Sequence, residues 1–376
     1  MTYDTIYDLI IKNARTLDHQ PIEIGIESGK ISALSTEIIA ESREIFDAKG
    51  QFISAGWIDA HVHCYENMSL YYDYPDEVGV KNGVTTIVDA GSTGENNIRE
   101  FYELTKKSKT NVYALLNISR DGIVHQDELA DLSKVDETKN LERIKELSEF
   151  IIGIKARMSK SVIGQNGVKP LVMAKALQKK AHLPLMVHIG TAPVALEELM
   201  TYLESCDIVT HCFNGKDNGI LDKSGQIKEF AKKAYEAGIH FDIGHGTDSF
   251  NFQVAKQAKT ENILADSIST DIYSRNRLNG PVYNLATTME KLMYVGYSLE
   301  QVIHRVTKAQ AKALRLSRKG NLSVGFDADI TIFQVTDDAD KQLIDSNQET
   351  VKTSVQIKPT AAVIAGKVYE IAKEKI

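Results

Sequence analysis

His61 and His63 close the apolar stretch "FISAGWIDAHVH", with Val62 between them. In an extended chain residues i and i+2 face the same side, which sets the roots of both imidazoles about 6–7 Å apart on one face. That spacing suits two ligands of one metal ion. Four more residues able to ligate or bridge metal ions also end apolar stretches. Lys155 follows "FIIGI", His188 follows "LPLMV", His211 follows "DIVT", and Asp271 ends "SISTD". Each alone has an ordinary explanation. A strand-end histidine is commonly a hydrogen-bonded structural residue, a lysine there snorkels to water, and an aspartate caps a helix or forms a turn. Six such residues at equivalent places in one rhythm of strands point instead to a metal centre.

The rhythm is that of alternating strands and helices. Strand candidates are Phe52–His63, Val84–Ala90, Asn111–Ile118, Phe150–Lys155, Leu183–Ile189, Asp207–His211, Ile239–Ile243 and Ile263–Asp271. Segments with helical spacing lie between or after them, over 96–108, 138–150, 170–181, 193–205, 227–238 and 284–296. Eight strand-then-helix units in about 260 residues match a (β/α)₈ barrel. An open doubly wound sheet is the alternative, but it carries a glycine-rich phosphate turn after its first strand, and none follows here. Barrel enzymes keep their chemistry at the C-terminal ends of the strands, where all six residues fall.

Both ends of the chain are β-rich, with hairpin-like Ser28-Gly29-Lys30 and Ala365-Gly366-Lys367 turns. The sequence therefore predicts an α/β protein with two units. A TIM-like (β/α)₈ barrel spans 54–318, and a small discontinuous β-sandwich domain is built from 1–53 and 319–376. The charge-rich "TDDADKQLIDSNQETVK" is expected to be an exposed loop within the latter.

Composition removes other classes. A net charge of −7 over 376 residues, without a block of like charges, argues against a nucleic-acid partner, which calls for a basic stripe. No segment has the apolar length of a membrane span. The opening "MTYDTIYDLIIKN" has acidic residues where a secretory signal needs basic ones. Three cysteines, none in a CxxC pair, are too few for a disulfide framework. A cytoplasmic protein acting on a small molecule is the expectation.

His61-x-His63, Lys155, His188, His211 and Asp271, in that order on strands one, four, five, six and eight, resemble the amidohydrolase superfamily, and within it the binuclear-metal members. "SVGFDADITIF" resembles the family's return into its small β-domain. "GWIDAHVHCYE", "GIKARMS", "HIGTAP", "THCFNGK", "FDIGHGTDSFNF" and "STDIYSRNRLNGPVYNLATTMEKL" are similar to a deacetylase-like branch whose members often carry the names dihydroorotase or adenine deaminase. The resemblance implies two divalent metal ions, zinc foremost by ligand type, with iron, manganese or cobalt as alternatives. It implies that His61, His63 and Asp271 hold the more buried ion and His188 and His211 the outer one. Lys155, carboxylated by CO₂, would bridge them. The ions would share a hydroxide nucleophile, and Asp271 would move the proton. Homo-oligomers are common in the family.

Other residues are weighed from their places. His245, in "IGHGTDS", lies at the mouth between glycines and is expected to touch substrate. Arg157 shares a face with Lys155 and has the fork for a substrate carboxylate or for a nearby Asp or Glu. Arg275 and Arg277 follow strand eight, where solvation is the simpler fate. Tyr65, Glu66 and the tyrosine-rich "YENMSLYYDYPDE" would line the pocket, its rim or a subunit contact. Cys64 and Cys212 alternate away from the site and read as small buried hydrophobes. His19, His125, His182, His240 and His304 have no partner pattern. The leading activity is removal of a small acyl group from an N- or O-acylated carboxylic acid. Alternatives are cyclic-amide hydrolysis of the dihydroorotase or hydantoinase type, and purine-type aminohydrolysis. A non-catalytic scaffold is disfavoured because all six ligand types are present.

Overall fold

A computed structural model describes residues 6–337 and 340–372. Five strands open the chain: β1 (Tyr7–Arg15), β2 (Pro21–Glu27), β3 (Lys30–Ser35), β4 (Ser42–Asp47) and β5 (Phe52–Ala55). Seven follow in the middle: β6 (Trp57–Val62), β7 (Val84–Ala90), β8 (Asn111–Asn117), β9 (Ile151–Arg157), β10 (Leu185–His188), β11 (Ile208–Thr210) and β12 (His240–Asp242). The chain ends with β13 (Ile330–Thr336), β14 (Lys341–Ile344), β15 (Thr350–Thr353), β16 (Gln356–Ile364) and β17 (Lys367–Glu370).

β6 to β12 form one parallel sheet in sequence order. Both edges of that sheet meet the segment 267–272, so the sheet closes into a barrel. Ile243 N donates to Ser267 O, while Asp271 N and His63 N pair with His61 O and Ile272 O on the opposite edge. The eighth strand expected over Ile263–Asp271 is thus an extended segment with two isolated bridges. Its side chains explain the difference. Asp271 has a left-handed φ of 51°, which breaks a ladder. Thr270 and Ser269 spend their hydroxyls on Asp59 and Asp242.

The first expected strand also divides. Gly56 separates β5 from β6, and a Cβ there would fall 2.1 Å from Thr85 Oγ1. β5 pairs antiparallel with β13, while β6 enters the barrel. Side chains inside the barrel include Ala60, Val88, Ala90, Leu115, Met186 and Ile208, packed with Leu314. Six of the helices correspond to the expected segments, from Ile98–Thr105 to Leu285–Tyr294. Helices Phe252–Thr260, Ser274–Asn279, Leu299–Arg305 and Lys308–Ala313 are additional.

The terminal strands make a second sheet in two halves, β4-β1-β2-β3 and β5-β13-β16-β17, joined where Arg15 pairs with Phe52. Leu9, Ile11, Ile24 and Ile26 of one half pack in a common core with Ile53, Ile330, Ile332 and Val363 of the other. The Ser-Gly-Lys and Ala-Gly-Lys turns do join β2 to β3 and β16 to β17.

The expectation of an exposed loop over 336–352 is overturned, Asp338 and Ala339 lying outside the described residues. β14 and β15 form an antiparallel hairpin there. Asp345 at its turn is fully buried and accepts the backbone N–H groups of Phe252, Asn347 and Glu349. Ser346 Oγ accepts from Ser249 N and Phe250 N. The polar residues that suggested a solvated loop cap backbone instead, and the hairpin braces the loop after β12. Among the described residues no helix is long and apolar enough to cross a membrane.

Candidate metal centre

The barrel brings all six expected residues to one mouth. Asp271 Oδ1 lies 3.0 Å from His63 Nε2 and 3.4 Å from His61 Nε2. Lys155 Nζ lies 3.0 Å from His61 Nε2. His211 Nε2 lies 2.8 Å from His188 Nδ1, and its ring is 5.1 Å from that of His61. His61, His211 and Asp271 offer ligand atoms within 4.8 Å of one another.

Each histidine has one nitrogen tied outward and one facing this centre. His61 Nδ1 meets Thr210 Oγ1 at 2.8 Å, and Thr210 donates onward to Asp242. His63 Nδ1 meets Ser92 Oγ at 2.9 Å, and Ser92 donates onward to Asp89. His211 Nδ1 meets the Gly244 carbonyl at 2.5 Å, and His188 Nε2 meets Ser159 Oγ at 3.1 Å. A histidine that ligates through one nitrogen is oriented by a partner on the other. Thr210, Asp242, Ser92 and Asp89 were absent from the sequence reading. Thr210 lies within one expected strand and Ser92 just after another, but only the curl of the barrel sets them behind His61 and His63.

Burial governs the charges. It pushes Lys155 down to about 7. It holds His61 and His188 well below the usual imidazole value, with Lys155 and His211, respectively, as the next cause. It brings His211 to about 4 against the pull of Asp271. The inward lone pairs are therefore free for a cation. Asp271 behaves oppositely. Burial pushes its carboxyl up, but the hydrogen bond to His63 and the proximity of His63, His211 and Lys155 outweigh this and hold it below its ordinary value. His211 and Asp271 both take left-handed backbone, at φ 72° and 51°, a conformation uncommon for residues other than glycine.

Comparison with known proteins bears on this mouth. The chain is 55% identical over 367 residues to a deacetylase of Enterococcus faecalis, a match covering 97% of this chain and 99% of that one. Residues 322–370 match the family model of the deacetylase-like composite domain. A solved structure described as an adenine deaminase is 55% identical, with a TM-score of 0.95 and coverage of 97% and 100%. One described as a dihydroorotase is 35% identical, with a TM-score of 0.89 and coverage of 97% and 99%. The chain belongs to the amidohydrolase superfamily, in its deacetylase-like branch.

The superfamily uses divalent metal ions, and the donor set of this amidohydrolase fits them. Two nitrogens on a tetrahedral ion at 2.0–2.1 Å stand about 3.3 Å apart. The Asp271 pairs with His63 and His61, at 3.0 and 3.4 Å, lie close to that spacing, and the His188–His211 pair, at 2.8 Å, is about half an ångström shorter. The buried Lys155 has no carboxylate partner among its hydrogen bonds, only His61 Nε2 and Met186 Sδ.

Two expected substrate contacts fare differently. His245 is fully buried. Its Nδ1 meets the Gly246 carbonyl, and its Nε2 lies 2.7 Å from Lys291 Nζ. It stacks on Phe250. Both of its ring nitrogens are thus held by protein groups. Its flanking glycines are needed for backbone approach to protein: a Cβ at Gly244 would fall 2.1 Å from Thr210 Oγ1, and one at Gly246 2.5 Å from Asp271 Oδ2. Arg157 meets Glu128 through Nε at 2.7 Å and Nη2 at 2.8 Å, so its fork is committed to the protein. Arg277 is likewise held, bidentate on buried Asp73. Tyr71 stacks near His63 and edge-on to Tyr273, lining the mouth. Tyr65 is buried with its hydroxyl on Glu100. Cys64 and Cys212 are buried and free.

Proposed function

We propose that this amidohydrolase removes a small acyl group, acetyl foremost, from N- or O-acylated carboxylic acids by metal-dependent hydrolysis. The observation that carries the reading is the set of four histidines, each anchored outward and aimed inward around a buried Lys155 whose proton affinity burial lowers to about 7. In this reading His61, His63 and Asp271 hold the inner ion, and His188 and His211 the outer. Zinc suits these nitrogen and oxygen donors. A carbamate on Lys155, formed when its neutral amine adds to the carbon of CO₂ and loses a proton, would supply the ions with a further anionic oxygen donor. When bound, the ions supply a hydroxide nucleophile at neutral pH and polarise the acyl carbonyl.

Asp271 takes the proton from water as it adds to the acyl carbon and returns it to the departing nitrogen or oxygen. Its low proton affinity keeps it a base at neutral pH. Tyr71 and Tyr273 border the mouth and restrict water around the leaving group. The deacetylase name of the Enterococcus relative supports the acyl substrate, and the free, buried thiols agree with a cytoplasmic setting. A purine aminohydrolase is the second reading, because the solved structure at 55% identity is described as an adenine deaminase.

The test is a hydrolysis screen with zinc-loaded protein. N-acetyl amino acids of both hands, O-acetyl α-hydroxy acids, dihydroorotate, hydantoins and adenine form the panel. Turnover confined to the acyl carboxylates supports the proposal. Turnover of adenine or a ring amide with none of the acyl acids overturns it.

A further inference from the structure

Three arginines stand near the mouth, and only one is uncommitted. Arg157 is locked on Glu128 and Arg277 on Asp73. Arg275 is exposed, and among the described residues no carboxylate lies within ion-pair distance of it. It lines a recess of about 230 Å³ together with Thr247, Pro281, Tyr283, Ile344 and Gln348.

Two tyrosines, Tyr273 and Tyr71, stand between the recess and His63. Thr247 directly follows Gly246, whose backbone packs against Asp271. The Thr247 hydroxyl lies 3.1 Å from that of Tyr273, and Tyr273 meets Tyr71 edge-on at 4.9 Å. Tyr71 in turn lies over His63 at 5.9 Å. The far wall comes from the terminal β-unit. Ile344 ends β14, and Gln348 occupies the hairpin turn with a left-handed φ of 66°. That turn is fixed by Asp345, which accepts two of its backbone N–H groups and one from the helix start at Phe252.

We propose that this recess receives the acid half of the substrate, with Arg275 pairing its carboxylate and Ile344 and Tyr283 flanking its apolar side group. The assignment rests on the deacylase reading above and deepens it. A planar guanidinium matches a carboxylate in a two-pronged pair. A mixed lining of one cation and apolar groups selects α-substituted carboxylic acids over small neutral amides.

The test compares wild type with Arg275→Gln and Arg275→Lys, using O-acetyl phenyllactate and its carboxamide. Arg275→Gln is expected to raise KM for the acid by about tenfold with kcat little changed, and to leave the carboxamide unaffected. Arg275→Lys recovers part of the loss. Ile344→Trp, which narrows the recess, lowers kcat/KM for O-acetyl phenyllactate and spares O-acetyl glycolate. Phenyllactate binding by calorimetry gives a readout independent of turnover, and should weaken in Arg275→Gln. If wild type turns over none of the acyl acids, the deacylase reading fails. If it does, and Arg275→Gln keeps KM and phenyllactate affinity, the recess assignment alone fails.

Discussion

Lys155 Nζ lies 3.0 Å from Nε2 of His61, and both side chains are shut off from solvent. Two cations do not share such a place; burial lowers the proton affinity of both. A lysine lowered to about 7 has a share of neutral amine at pH 7, the form that the proposed carbamate requires. Lys155→Ala is expected to lose most activity and to bind less metal, with part of the activity restored by acetate or propionate. Steady-state rates against added acid, with metal content by elemental analysis, check this. Full activity in the unsupplemented variant removes the bridging role.

Thr210 links His61 to Asp242, and Ser92 links His63 to Asp89. Thr210→Val keeps the shape and removes the link. Loss of such an orienting partner lowers metal affinity about 10–100-fold. Chelator competition measures it directly, and an unchanged affinity would discard the relay. Asp242 keeps its bonds from Ser267 and Ser269, so secondary structure should persist.

Glu128 and Arg157 form a buried, two-pronged ion pair. Glu128→Gln leaves the guanidinium buried without its counter-charge. A broken buried pair costs about 3–5 kcal/mol, to be read from urea unfolding. Replacing both partners, Glu128→Leu with Arg157→Met, should cost less than the single change, because no orphaned charge remains.

Lys291 is buried between Pro281 O and His245 Nε2, and burial pushes it down to about 7. An unfolded lysine holds its proton to about 10.4. Between those values the unfolded chain binds the extra proton, so stability rises with pH across that window. Lys291→Met removes this rise. The variant should compare best with wild type below pH 7 and progressively worse toward pH 10. Unfolding curves at pH 6, 8 and 9.5 test the slope, and Lys155, common to both proteins, cancels in the difference. Parallel pH profiles would contradict the depressed value.

Much of this was legible in residue order. β7 spans the expected Val84–Ala90, and the six metal-type residues do meet, because strand ends in a barrel are forced to one rim. What the sequence hid was mostly tertiary. Period-2 patterning cannot show that Gly56 splits one apolar run between two sheets, since both parts are buried. Nor does it show that Asp345 and Ser346 cap backbone ninety-odd residues away, for a polar residue in a turn reads the same whether water or protein satisfies it. The sequence also could not say what the glycines beside His245 admit, because glycines that admit a ligand also admit a neighbouring strand end.

The pairing of β5 with β13 has a consequence for synthesis. A ribosome makes β1 to β5 first, then threads the entire barrel before β13 appears. Through that interval the edge of β5 has no partner strand, and an open edge invites pairing with foreign strands. The nascent chain is thus most exposed to aggregation while its barrel is half made. Slowing translation within the barrel should lower the soluble yield more than slowing it after Thr336.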